Sequence, residues 1–301
     1  MELIEIEAFV TIVNSGAFTR AADRLGISQP AISRRIDLLE SELGAALFER
    51  LRTGARLTDA GEAFLPFALR VLADLRDGAS AVRELSSGDR GTLTLVIVGT
   101  LASTSLMERL KQFRAAHPGI RLRLETANSD GVSHLVRSGE VQLGLRYYDD
   151  SSTALYTTQV ADERLVIVCA QDSAIVPSPV LRPSDLSGLP WVSFPVGSGS
   201  SGEPFAQAMD RSLAELGLAD AERIVIDSLT AQKRMIEAGF GIGLVLESAV
   251  TEELRLGTLR VLDLEDFERS APVFMIRRSG GYQSTAMQRL IAVLTDGTEN
   301  G

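Results

Sequence analysis

The stretch SGAFTRAADRLGISQPAISRRIDLLESELGAALFERLRTGARLTDAG, residues 15–61, decides the reading of the first third of the chain. Phe18 to Leu25 makes a short helix carrying the small pair Ala21-Ala22. Gly26 follows, and Ser28 stands where it caps a further helix with Pro30 in its first turn. In that further helix Ile32, Ile36, Leu39 and Leu43 share one face, while Gln29, Ser33, Arg34 and Asp37 occupy the other. Small alanines let the two helices approach closely, and glycine admits the positive φ that a sharp turn between them needs. A helix presented in this way can lie in the major groove with its N-terminal side chains on base edges. Gln29 and Arg34 carry the hydrogen-bonding forks suited to adenine and guanine, whereas Ser33 and Thr19 suit phosphates. A plain three-helix bundle, in which the alanines and the glycine serve packing alone, uses the same spacing, so the spacing leaves both readings open.

Upstream, Leu3, Ile6, Phe9, Val10 and Val13 recur at helical spacing, and Asn14-Ser15-Gly16 reads as the stop of an amphipathic helix. Downstream, Asp59 and Glu62 read as a capping pair for a long helix to about Ser87. Phe64, Ala68, Val71, Leu75, Gly78, Val82 and Leu85 step by four and three, the seam of a coiled coil. Pro66 removes a backbone donor inside that helix, so a kink is expected at residues 62–66.

The run of motifs AA-x-x-L, SQPA-x-S-x-x-I, LE-x-ELG, LFER and LT-x-AG, ungapped across residues 15–61, resembles the winged helix-turn-helix of the LysR-type transcriptional regulators. The resemblance implies that the LFER…LT segment forms the wing and places Arg50, Arg52 and Arg56 beside the DNA backbone. There each phosphate contact adds affinity that salt weakens and sequence does not alter. The DNA-binding set is then Thr19, Arg20, Ser28, Gln29, Pro30, Ser33, Arg34, Arg50, Arg52 and Arg56. One departure is Ala17, where the family often has Ser before the Phe that opens the second helix; the lost cap costs about 1 kcal/mol. The resemblance also implies that the long helix pairs two subunits. Packing of that helix on its own domain is the alternative.

Composition sets the outer bounds. The chain has 301 residues, enough for about two domains. Its net charge of −10 argues against nucleic acid at first sight. From Phe18 to Thr58, however, seven arginines stand against five acids, while residues 91–301 hold 19 basic and 26 acidic side chains. The asymmetry has the sign a DNA-binding N-terminal segment requires, though it is small. No apolar run reaches the roughly 18 residues of a membrane span, and the N-terminus carries acids where a secretory signal has a basic flank, so a cytoplasmic protein is expected. Cys169 is the only cysteine, which rules out an internal disulfide.

From residue 91 the pattern changes to alternating strands and helices. Strands fall at 92–99, 120–126, 141–147, 155–160 and 164–170, then near 223–227, 242–246, 259–263 and 273–277. Helices fall near 105–116, 132–138, 204–216, 230–238 and 283–294. This order predicts an α/β domain with a largely parallel sheet. The segments F-RAAHPGIRLRLETANS, LVRSGEVQLGLR and IEAGFGIGL resemble the LysR-type effector domain. That resemblance implies a periplasmic-binding-protein-like pair of α/β subdomains joined by crossings near 160–164 and 265–270. The expected division is a winged helix-turn-helix over 1–58, a dimerisation helix over 59–88 and an effector domain over 89–301. Within the last, subdomain I covers about 91–161 and 268–301, and subdomain II about 162–267.

Ligands of such folds sit at carboxyl ends of strands and amino ends of helices. Thr100, Ala102 and Ser103 follow a strand and precede a helix, and Asn128 and Ser129 follow the next strand. Arg146 ends a strand and offers a fork for a carboxylate, while Ser198, Ser200 and Ser201 lie in a glycine-serine stretch before another helix. These residues form the candidate effector set and suggest a small polar or carboxylated effector, although each also suits a turn or cap. Gly239, Gly241 and Gly243 follow a helix and precede a strand, the reverse of a dinucleotide loop. His117 and His134 lack ligands at metal spacing, Cys169 has no resolving partner, and no catalytic constellation stands out, so no metal, cofactor or catalytic residue is expected.

The reading is a regulator that binds inverted-repeat double-stranded DNA and a small-molecule effector. It is expected to dimerise through residues 59–87 and to assemble further into the family's usual tetramer, with RNA polymerase as a further partner and no membrane contact. The alternatives are a solute-binding protein without specific DNA function, and an enzyme built on the α/β domain.

Overall fold

The computed structural model describes residues 1–51, 54–87, 91–102, 104–173, 180–196 and 204–295. They form two compact units. The first takes in Met1–Gly88 with Arg137–Glu140 and Gly280–Ser284, and the second the remainder.

In the first unit, α1 (Leu3–Ser15), α2 (Phe18–Leu25) and α3 (Gln29–Leu43) enclose a core of Phe9, Ile12, Ala21, Ala22, Ile32, Ile36 and Leu39. Ala21 and Ala22 are buried, which is why they have to be small. Gly26 adopts φ 65 and caps α2 in the left-handed conformation that the sharp entry into α3 requires. Ala17 stands at the N-cap of α2 and supplies no side-chain bond. The buried face of α3 is shorter than its periodicity predicts, because Leu43 is the last helical residue before Gly44 and is exposed.

Strands β1 (Phe48–Leu51) and β2 (Gly54–Leu57) pair antiparallel to form the wing. Phe48 seats the wing on the helices through Phe9 and Phe18, with ring centroids 5.3 and 5.5 Å away. Helix α4 (Asp59–Ser87) then runs unbroken through Pro66. Its first turn is capped by Thr58 and not by the expected Asp59–Glu62 pair. The Thr58 Oγ1 accepts from the Gly61 amide at 3.1 Å, because Asp59 is already the first helical residue. Ala68, Leu69, Leu72 and Ala73 turn inward, while Phe67, Val71, Leu75, Val82 and Leu85 are exposed.

The second unit is built on an eight-stranded sheet ordered β4-β3-β5-β12-β6-β11-β7, with β10 also paired to β6. Strands β3 (Gly91–Val98), β4 (Ile120–Ala127) and β5 (Leu143–Tyr147) are parallel and carry α5 (Thr104–Ala116) and α6 (Ser129–Arg137). The two strands expected at 155–160 and 164–170 are one, β6 (Leu155–Ala170). Its first part pairs antiparallel with β12 (Ser270–Arg278), and its second part with β10 (Gly243–Leu246) and β11 (Leu259–Leu264). The sheet is therefore mixed, not largely parallel. A strand that carries the chain from one lobe to the other meets returning strands running against it.

The second lobe adds β7 (Val180–Leu181), the parallel pair β8 (Trp191–Ser193) and β9 (Arg223–Val225), and helices α7 (Pro204–Glu215), α8 (Leu229–Glu237) and α9 (Thr251–Leu256). Helix α10 (Thr285–Thr295) packs on the first lobe beside α5 and β3. One core runs from Leu95 and Phe113 in the first lobe to Trp191 and Leu213 in the second.

Candidate DNA interface and effector site

The N-terminal turn of α3 presents Gln29 and Pro30 to solvent, and Arg34 is exposed one turn on. Ser33 is half-buried. The Ser28 hydroxyl accepts from the Ala31 amide at 3.4 Å, so it serves first as the N-cap of α3. Thr19 and Arg20 are exposed at the start of α2, and the Arg20 Nε donates to the Ser15 carbonyl at 2.8 Å. This bond holds the arginine against the turn that precedes α2. The buried Ile32, Ile36 and Leu39 fix the rotation of α3, which is what leaves Gln29 and Arg34 outward.

On the wing, Arg56 stands directly opposite Glu49, and its Nη2 and Nε donate to the same carboxylate oxygen at 2.5 and 3.1 Å. The hydrogen bond and the charge of Glu49 push the Arg56 pKa further up. Arg50 belongs to β1; Arg52 and the Arg50 side chain lie outside the described residues. The arginines were legible in sequence, but Glu49 as partner of Arg56 was not, because the wing's register alone brings them face to face.

In the second unit, three expected effector positions come together at the carboxyl ends of the parallel strands β3, β4 and β5. Thr100 lies in the 3₁₀ turn Gly99–Leu101 after β3, and its hydroxyl oxygen is buried without a hydrogen-bond partner among the described residues. Ala102 beside it is exposed. After β4, the Asn128 Oδ1 accepts from the Gly131 amide at 2.8 Å, which makes it a cap of α6, and Ser129 is fully buried at the helix start. Ser103, Ser198, Ser200 and Ser201 lie outside the described residues.

Arg146, the third position, is 4% exposed on β5. Its Nη1 donates to Ser133 Oγ at 2.5 Å and to Asp150 Oδ2 at 2.7 Å, and its Nε donates to the Tyr147 carbonyl at 3.3 Å. The guanidinium thus already holds a carboxylate of its own chain. Ser133 and Asp150 escaped the sequence reading. Ser133 lies on a separate helix, and Asp150 is placed by a turn whose course no periodicity reports.

That turn starts at Tyr148, which takes a left-handed backbone with φ 58 and donates its amide to the Pro272 carbonyl at 2.9 Å. A bulky residue holds this conformation only where its surroundings impose it. Burial pushes the Tyr148 phenol pKa up, with Arg211 opposing and Asp162 adding to the rise. Next to it Tyr147 stacks on Phe205 of α7 with centroids 4.6 Å apart, and Phe194 meets Phe205 at 6.5 Å. Aromatic side chains therefore join the end of β5 to the second lobe. A cavity of about 40 Å³ is lined by Leu101, Arg109, Leu145, Glu163 and Leu294 among others. None of the candidate effector residues is among its lining.

Among the described residues no group of His, Cys, Asp and Glu has metal-site geometry, and no helix is long and apolar enough to cross a membrane. Cys169 is buried on β6, and burial pushes its thiol pKa up.

Residues 3–62 match the family described as bacterial regulatory helix-turn-helix protein, lysR family, and residues 86–299 match the LysR substrate binding domain. A RuBisCO operon transcriptional regulator of Allochromatium vinosum is 27% identical over 287 residues, covering 95% of this chain and 93% of its own length. The transcriptional regulator CfxR of Cupriavidus necator is 28% identical over 269 residues, with 88% and 81% covered. Among solved structures, full-length OxyR from Pseudomonas aeruginosa superposes with a TM-score of 0.68 at 22% identity, covering all of this chain and 95% of that one. Full-length CbnR solved with its target DNA gives 0.58 at 24% identity, with 98% of each chain covered. The solute-binding alternative leaves the match over residues 3–62 unexplained, and the enzyme alternative has no support among relatives that regulate transcription. A helix-turn-helix followed by a two-lobed α/β domain, with family matches along nearly the whole chain, makes this chain a DNA-binding transcription regulator of the LysR family.

Proposed function

We propose that this regulator binds an inverted repeat as a dimer, reads bases through the N-terminal half of α3, and responds to a small polar or carboxylated effector held at the ends of β3, β4 and β5. The observation that supports it best is the outward set Gln29 and Arg34 on a helix whose rotation is fixed by three buried aliphatic residues. Arg34 bidentate to guanine and Gln29 to adenine specify sequence. Thr19, Arg20, Ser28, Pro30 and Ser33 line the phosphates around the helix, and Arg50, Arg52 and Arg56 do so on the wing. Arg56 binds phosphate by exchanging its Glu49 partner, so it contributes less than an unpaired arginine.

Helix α4 pairs two subunits through Val71, Leu75, Val82 and Leu85, which the single chain leaves exposed. Two such dimers form the tetramer that bends a promoter, and RNA polymerase is the further partner, all within the cytoplasm. For the effector, the supporting observations are the buried Thr100 hydroxyl, without a partner among the described residues, and the guanidinium of Arg146. Thr100, Ala102, Ser103, Asn128, Ser129, Arg146 and the serines 198, 200 and 201 form the effector set. The effector shifts the regulator only in so far as it prefers one arrangement of the lobes, commonly by about 1–3 kcal/mol.

The test is a gel-shift titration on DNA upstream of this chain's own gene, with a RuBisCO operon promoter as a second probe, at several salt concentrations. Specific binding should map to an inverted repeat, and Arg34→Ala should relax base preference at one position by about 1–3 kcal/mol. Unchanged affinity and preference in Arg34→Ala would remove α3 from the recognition role.

A further inference from the structure

We propose that Glu40 is a positioning residue for DNA binding, whose carboxylate ties the recognition helix to the root of the wing. Its Oε1 accepts from the Leu47 amide at 2.6 Å and from the Phe48 amide at 3.2 Å, the residues with which the wing begins. Its backbone carbonyl accepts from the Ala45 amide at 3.2 Å, so one residue both closes the end of α3 and opens β1. A negative charge in the last turn of a helix opposes the helix dipole, so an acid there needs compensation. Two amides on one carboxylate oxygen supply it, as charge-assisted bonds stronger than neutral ones.

The other side of the same segment is fixed by the start of α4. The Thr58 hydroxyl donates to the Ala46 carbonyl at 2.6 Å, and the Thr58 amide donates to the Leu47 carbonyl at 3.0 Å. The far strand is held separately, where the Ala55 amide donates to the Gly16 carbonyl at 3.0 Å. Of these anchors Glu40 alone belongs to α3. It therefore sets where β1, and Arg56 on the strand paired with it, stand relative to Gln29 and Arg34, so that phosphate and base contacts are made in one register. The inference rests on the reading that the wing arginines touch phosphate.

The experiment compares full-length Glu40→Ala, Glu40→Gln and the pair Arg52→Ala/Arg56→Ala on a duplex carrying the mapped inverted repeat. It measures the slope of log affinity against log salt, and the affinity ratio between the intact site and one with a substituted base. Removing one arginine–phosphate pair lowers the slope by about 0.9. Glu40→Ala should lower the slope as the arginine pair does, leave the base-substitution ratio within twofold of the unaltered chain, and speed hydrogen exchange at the Leu47 and Phe48 amides. Glu40→Gln keeps an acceptor oxygen and should restore the slope.

If the arginine pair lowers the slope and Glu40→Ala does not, only the role of Glu40 falls. If the arginine pair leaves the slope unchanged, the wing reading falls and the positioning role with it. Should Glu40→Ala not fold, Glu40→Asp keeps the charge and withdraws the oxygen by one methylene, and the same drop in slope is expected. Loss of folding in both variants would make Glu40 a residue of the fold and overturn the proposal.

Discussion

Replacing Asp150 by alanine strips the Arg146 guanidinium of its only charged hydrogen-bond partner among the described residues. Arg146 is 4% and Asp150 12% exposed in their side chains, so water cannot take over the interaction. Ser133 remains at 2.5 Å, but a neutral hydroxyl does not balance a buried cation. Removing one partner of a buried pair costs about 3–5 kcal/mol, mostly from the charge left behind. For a unit of about this size the melting temperature should then fall by on the order of 10 °C. Arg146→Met with Asp150→Leu removes both charges and should cost well under the sum of the single changes.

The assay is thermal and urea unfolding of Asp150→Ala and of the cycle made by the unaltered chain, Arg146→Met, Asp150→Leu and their double variant, repeated with acetate and with larger mono- and dicarboxylates. If Arg146 is the effector's anchor, an added carboxylate takes the vacated place in Asp150→Ala. It should stabilise that variant more than the unaltered chain, by about 2.7 kcal/mol at a hundredfold excess over its dissociation constant. A fall below about 1 °C, or a double variant as costly as the sum of the singles, would refute the argument from burial. A fall of the expected size with no carboxylate rescue would keep the pair as structural and take Arg146 out of the effector site.

Leu75→Arg places a charge at an exposed seam position of α4, and sedimentation should show a smaller assembly with the fold intact; an unchanged assembly would exclude this seam. Gly61→Ala should destabilise the first unit and weaken DNA binding, because an added Cβ would overlap the Leu47 carbonyl oxygen; unaltered unfolding and affinity would show that the backbone gives way freely. Native Cys169 should resist alkylation at neutral pH and label only on unfolding, since burial raises its pKa and leaves little thiolate. A raised folded pKa also means that this thiol's contribution to stability is present below the unfolded thiol's pKa and is lost as pH rises through the folded value. Unfolding monitored from neutral to alkaline pH, compared with Cys169→Ser, checks that sign.

The sequence by itself determined the three N-terminal helices and the long helix, while the wing was legible only through the resemblance to the LysR-type family. Their signals are local: Ala21-Ala22 before Gly26, Ser28 before Pro30, and apolar steps of three and four. Helices satisfy their hydrogen bonds within a few residues, so such signals survive without knowledge of what packs against them. Gln29 and Arg34 were legible for the same reason, since the buried face of α3 fixes the opposite one. The sheet was less legible. The strands expected at 155–160 and 164–170 proved to be one strand that crosses lobes, because pairing partners far along the chain decide where a strand ends.

Tertiary structure alone decided what the charged groups do. Arg146 read as a fork for an effector's carboxylate, yet its pairing with Asp150 and Ser133 depends on a turn that begins with a left-handed tyrosine. Arg56 read as a phosphate contact, yet the wing's register sets it against Glu49. Glu40 stands in the LE-x-ELG run, where its spacing assigns it no partner, yet the chain's return after Gly44 brings two amides to its oxygen. Hydrophobic patterning says which way a residue faces. Which partner an ion or hydrogen-bonding group meets depends on distances of a few ångströms between segments far apart in sequence, and only the folded chain fixes those.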